Sequence, residues 1–125
     1  MTVTQYVAEK LNNSTAVTDF VSDRIYHGEI PEEEDTYPVI NYIKVSSPNL
    51  ETVWRRPRIQ ISCRALQAEQ CENLANAVRK GMDDKIETVG TFDMQYSYYE
   101  NNEMILEGDG VYHIPVDIFF AYKST

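Results

Sequence analysis

Val3, Tyr6, Val7 and Leu11 recur at helical spacing, and after the break "NNST" the pattern resumes with Val17, Phe20 and Val21. The spacing predicts one helix and then a short helical turn. From Arg24 the period changes: "RIYHGEI" is short and β-rich, and "YPVINYIKV" carries apolar residues on both faces. These read as two strands joined by an acidic loop. The segment "SSPNLETVWRRP" holds two prolines and polar punctuation, which predicts a loop or an extended β-hairpin arm. Next, Ile59, Ile61, Cys63 and Ala65 alternate with Gln60, Ser62 and Arg64, the pattern of a central strand. Cys71, Leu74, Ala75, Val78 and Met82 follow as the apolar stripe of a helix lying on the sheet. Beyond Gly90, Phe92, Met94, Tyr96 and Tyr98 alternate with polar positions, and Tyr112, Ile114, Val116, Ile118 and Phe120 alternate through the last strand.

That order predicts an α+β fold, a mostly antiparallel sheet with two helices packed on one face, in a single domain over residues 1–125. The core is expected to join Ile59, Ile61, Cys63, Ile114, Val116 and Ile118 to Leu74, Val78 and Met82. A chain of 125 residues suffices for one core without disulfide or metal support. Its longest uncharged apolar runs fall far short of a membrane span, and the N-terminus lacks a secretory signal, so a cytoplasmic address without membrane contact is expected. Twenty acidic against eleven basic residues give a formal charge of −9, which repels phosphate backbones and argues against general nucleic-acid binding.

Candidate chemistry is thin. The stretch from His27 to Asp35 concentrates His27, Glu29, Glu32, Glu33, Glu34 and Asp35. On a strand His27 and Glu29 share a face, a two-ligand start for a metal, but four consecutive acids between Pro31 and Pro38 suit a solvated connection better. His113 stands on a strand with no nucleophile elbow in the chain, and the five glycines form no phosphate loop. Cys63 and Cys71 lack zinc spacing and are expected to be buried and reduced. No catalytic residue, cofactor or metal is therefore assigned. The segment "WRRPR" gathers Trp54, Arg55, Arg56 and Arg58 in an otherwise acidic protein, and Trp and Arg are the residue types enriched at interface hot spots.

Residues "DRIYHGEIPEEEDTYPVINYIKVSS", then a loop, then "RPRIQISCRALQAEQCENLANAVRKGM" resemble the tail-completion or tail-terminator proteins of long-tailed bacteriophages. In that family a short helix precedes an Arg-Ile-Tyr strand, here Asp23 to Tyr26. An acidic or proline-containing loop then leads to a Tyr-Pro strand, here Tyr37 to Ile40, and an Arg-rich alternating strand, here Arg58 to Ala65, runs into a helix. The match covers about residues 1–85 well, and the segment "MQYSYYENNEMILEGDG" departs from it.

The resemblance implies a structural protein of the virion and not an enzyme. It implies a ring of copies, commonly a hexamer, on the end of the tail tube at the head–tail junction, assembled in the host cytoplasm. Its partners would be the tail tube protein and the head–neck connector, and DNA would pass through the lumen without specific binding. On that reading the loop from Ser46 to Arg58 is an intersubunit or tail-facing arm, with Trp54, Arg55, Arg56 and Arg58 meeting Glu32, Glu33 and Glu34 of a neighbour. The alternatives are a neck or head-closure component, a small metal-dependent hydrolase using His27, Glu29 and His113, and a monomeric acidic binding module.

Overall fold

The first helix begins where the chain supplies its own cap. The Thr2 hydroxyl accepts from the Gln5 N–H at 3.2 Å, and the Gln5 side chain accepts from the Thr2 N–H at 2.8 Å, so two otherwise orphaned donors are satisfied reciprocally. Helix α1 runs Val3–Asn12 and buries Val3, Tyr6, Val7 and Leu11, the four positions at helical spacing. Helix α2, Thr15–Val21, buries Val17 and Val21. Helix α3, Ala68–Met82, buries Cys71, Leu74, Ala75, Val78 and Met82. Two helices packed on the sheet and a short helical turn were expected; the turn is a helix of seven residues that begins at Thr15.

The computed structural model describes residues 2–46, 54–82, 87–89, 92–100 and 102–123. Its strands are β1 Ile25–His27, β2 Val39–Ser46, β3 Trp54–Arg55, β4 Arg58–Ala65, β5 Glu87–Val89, β6 Phe92–Glu100, β7 Ile105–Leu106 and β8 Tyr112–Lys123. Six of them run in the order β1-β2-β4-β8-β6-β5, and β3 and β7 also pair with β8. The sheet is mixed. β1 lies parallel to β2, because the acidic loop carries the chain from Tyr42's level back to the start of β2, while the other described pairs are antiparallel.

One face of this sheet is apolar. Ile40 and Tyr42 of β2, Ile59, Ile61, Cys63 and Ala65 of β4, and Ile114, Val116, Ile118 and Phe120 of β8 join the buried residues of all three helices in one cluster. The expected core residues are all in it, Ile59, Ile61, Cys63, Leu74 and Val78 with no exposed surface. Alternate positions, among them Asn41, Ile43, Gln60, Arg64, His113 and Phe119, point the other way, as strand geometry demands.

Two parts of the sheet depart from the sequence pattern. In β6 the pairing with β8 slips between Met94 and Tyr96, leaving Gln95 as an extra residue. A bulge of this kind reverses which side the following residues face. Met94 is buried as expected, but Ser97 and Tyr99 then turn inward, and Tyr98 is 43% exposed instead of sharing Met94's side. The Ser97 hydroxyl donates to the Met82 carbonyl at the end of α3. The second departure is the expected arm. Residues 47–53 lie outside the described part, but Trp54–Arg55 is strand, and its partners on β8 keep the register of β4 across Pro57. The Pro57 carbonyl accepts from Phe120 N–H at 3.1 Å, so β3 and β4 act as one strand interrupted where proline lacks a donor.

Candidate functional site

The acidic loop is a folded segment. Gly28, with φ of +93°, turns the chain out of β1, and its carbonyl accepts from the Asn41 side chain at 2.8 Å. Arg24 closes the other end: its Nε donates to the Pro38 carbonyl at 3.0 Å and an Nη to the Phe20 carbonyl at 3.2 Å, tying the loop to the last turn of α2. In the middle, the Tyr26 hydroxyl donates to the Glu34 carboxylate, whose second oxygen accepts from Thr36 N–H at 3.4 Å. That hydrogen bond, with burial and the Glu34 charge, raises the Tyr26 pKa. Glu32, Glu33 and Asp35 are left exposed. The sequence treats Glu32, Glu33 and Glu34 alike; the geometry gives Glu34 an internal role and leaves the other two exposed.

The residues of the hydrolase alternative are not brought together. His27 stacks on Tyr42 at 5.0 Å with the rings 4° apart, whereas His113 sits on β8, beyond β2 and β4. Among the described residues no three His, Cys, Asp or Glu side chains are placed to share a metal ion. His113 lies beside Arg64, and burial first, then the Arg64 charge, lowers its pKa, while Glu107 acts the other way. Arg64 itself is engaged, donating to Glu107 at 3.0 Å and to Asn41 at 2.6 Å. Cys63 and Cys71 are free and buried, and the Cys71 thiol donates to the Cys63 carbonyl at 3.3 Å. Burial pushes Cys71 up to about 11 and Cys63 further.

At the opposite end of the strands the register gathers positive charge. Lys44 and Ser46 of β2 pair with Ile59 and Arg58 of β4, and Trp54 and Arg55 pair with Lys123 and Tyr122 of β8. Lys44, Arg55, Arg56, Arg58 and Lys123 therefore occupy one end of the sheet, with Asp93 as the partner of Lys123 on β6. Arg56 is exposed, Arg55 and Arg58 are half-buried, and the Trp54 side chain lies outside the described part. Tyr26, which holds Glu34, is level with Pro115, and Arg55 with Tyr122. Seven residues of strand separate those levels, roughly 23 Å at about 3.3 Å per residue. Arg55 is thus well beyond ion-pair reach of the Tyr26 anchor, whereas Arg58, level with Phe119, is four residues from it, roughly 13 Å along the strands.

One feature escaped the sequence pattern. Arg58, Phe119 and Tyr98 are register partners across β4, β8 and β6, and Tyr98 stacks on Phe119 at 5.0 Å and 11°. The one signal for it in the sequence is Phe119, an aromatic on the outward phase beside the inward Phe120.

A family model described as bacteriophage tail terminator protein matches residues 11–122. No curated protein sequence matches the chain. Among solved structures, a chain from the virion of a native gene transfer agent (GTA) particle superposes with a TM-score of 0.77 at 10% identity, covering 94% of this chain and 92% of that one. At that identity the likeness is one of fold.

Proposed function

This chain belongs to the bacteriophage tail terminator family, and we propose that it assembles as a ring, a hexamer, that caps the tail tube, stops its growth and joins the tail to the head. A structural protein of the phage tail is what the family match supports, and that match, spanning nearly the whole chain, is the observation that carries the reading. The proposal adds the ring, its place at the head–tail junction, and its partners: further copies of itself, the tail tube protein and the head–neck connector. A formal charge of −9 suits a channel that DNA must traverse without the phosphate contacts that make binding tight.

The contact surfaces follow from the two charged ends. Trp54, Arg55, Arg56 and Arg58 lie on β3, β4 and the link between them, and Glu32 and Glu33 are exposed on the loop anchored through Tyr26. They complement each other between subunits, with Glu34 holding the loop that presents the acids. A contact between two different surfaces repeats from copy to copy and closes as a ring when the rotation allows. Electron microscopy of the purified protein, alone and mixed with tail tubes, is the test. Rings on tube ends are expected. A protein that binds only the neck side of filled capsids would make it a head-closure component instead.

A further inference from the structure

The outward side of the sheet carries an aromatic row with no helix over it among the described residues. Tyr98 stacks on Phe119, and the Arg58 guanidinium lies 6.0 Å from the centre of the Phe119 ring. One row away on β2, Ile43 is 41% exposed, and Val45, at the irregularity in β2, is 39% exposed. From β2 to β6 the row spans four strands, about 14 Å at about 4.8 Å per step. Exposed apolar and aromatic groups clustered around an arginine have the composition of an interface centre. The Arg58 Nε is buried and has no acceptor among the described residues. An incoming carboxylate meets the half-buried guanidinium with a charge-assisted bond. Asp117, on this side, is already engaged by Gln60 at 3.3 Å and Asn102 at 3.2 Å.

Resting on the ring proposed above, we infer that this row seats the acidic loop of the next subunit. A Glu32 or Glu33 carboxylate reaches Arg58, and Pro31 and Tyr37 cover Phe119 and Tyr98. A second copy is the occupant because the charges match. The row borders the basic end of the sheet, and each copy carries exposed Glu32, Glu33 and Asp35 on the loop after β1. Tyr98 and Phe119 then serve as the apolar anchor of the contact, a part the sequence assigns to Trp54.

Two sets of variants of the full chain test this by sedimentation, with and without tail tubes. In Ile43→Ser/Tyr98→Ser both changes fall on exposed side chains, so the melting curve stays close to wild type. The subunit dissociation constant rises at least tenfold, by a similar factor at low and high salt, because the lost contact is apolar. Arg58→Glu weakens assembly, and adding Glu33→Arg or Glu32→Arg restores it, a rescue that a purely structural arginine would not give. Rings of unchanged affinity in Ile43→Ser/Tyr98→Ser overturn the inference. So do rings that form normally but no longer cap tubes, which would assign the face to the tube protein; in both cases the ring reading stands. A wild-type chain that stays monomeric even on tube ends overturns the ring itself.

Discussion

Replacing Arg55 and Arg56 with Glu turns the basic end of the sheet against the acidic loop it is proposed to meet. The change subtracts four charges from a chain already at −9 and leaves the core untouched. An exposed ion pair contributes about 0.2–1 kcal/mol, and reversal replaces that attraction with a repulsion of similar size. Two such positions therefore weaken each interface by about 1–4 kcal/mol, from roughly fivefold to several-hundredfold in the dissociation constant at about 1.4 kcal/mol per decade. The effect must also depend on salt. Screening acts over about 10 Å at 0.1 M and about 3 Å at 1 M, so most of the loss disappears at the higher concentration. Arg55 is half-buried and lies near Tyr122, whereas Arg56 is exposed, so Arg56→Glu alone serves as the milder control. Sedimentation velocity across a dilution series at the two salt concentrations gives the numbers. An oligomer of unchanged affinity that still docks on tails, or a loss identical at both salts, would refute the charge argument.

Other outcomes follow from the core and the buried titrating groups. Ile61 has no exposed surface and sits between Tyr42 and Val116, so Ile61→Ala should lower stability by about 2–5 kcal/mol in denaturant unfolding; a loss below about 0.5 kcal/mol would place it at the surface. His113 has a folded pKa below its unfolded value of about 6.5, so the unfolded chain binds the extra proton first. Its contribution is complete above that pH and is lost as pH falls through the folded pKa; unfolding of His113→Gln should be flatter over that window, and an unchanged slope would count against it. Cys63 and Cys71 should label slowly in native protein at pH 8, since burial suppresses both thiolates, and quickly once unfolded. Rapid native labelling, or a disulfide in the mass of the cell-derived protein, would contradict this.

How much of this was legible depended on whether polarity records the geometry. β4 and α3 were readable because their two sides differ chemically at every step: Ile59, Ile61 and Cys63 against Gln60, Ser62 and Arg64, and Cys71 to Met82 against charged neighbours. β6 was not, because the extra residue at Gln95 is an event of the backbone, and residues beyond it keep an apolar appearance while changing sides. The direction of β1 was hidden too: three residues carry no sign of parallel or antiparallel pairing, which is set by the path of the loop between them and β2. In the candidate surfaces the kinds of residue were visible but their roles were not. Glu32, Glu33 and Glu34 are identical in sequence, and only the Tyr26 hydroxyl distinguishes the last. "WRRPR" announced a basic cluster, whereas the Arg58–Phe119–Tyr98 row required three distant segments in register.

The twelve residues of β8 are flanked by β3 and β4 along one side and by β6 and β7 along the other. Under mechanical load this layout is anisotropic. Tension applied along the strand strains the flanking hydrogen bonds simultaneously, in shear, while a pull across the sheet would unzip them one after another. A subunit oriented with β8 along the direction of force would therefore hold as a stiff tie, and the same subunit turned by a right angle would yield strand by strand.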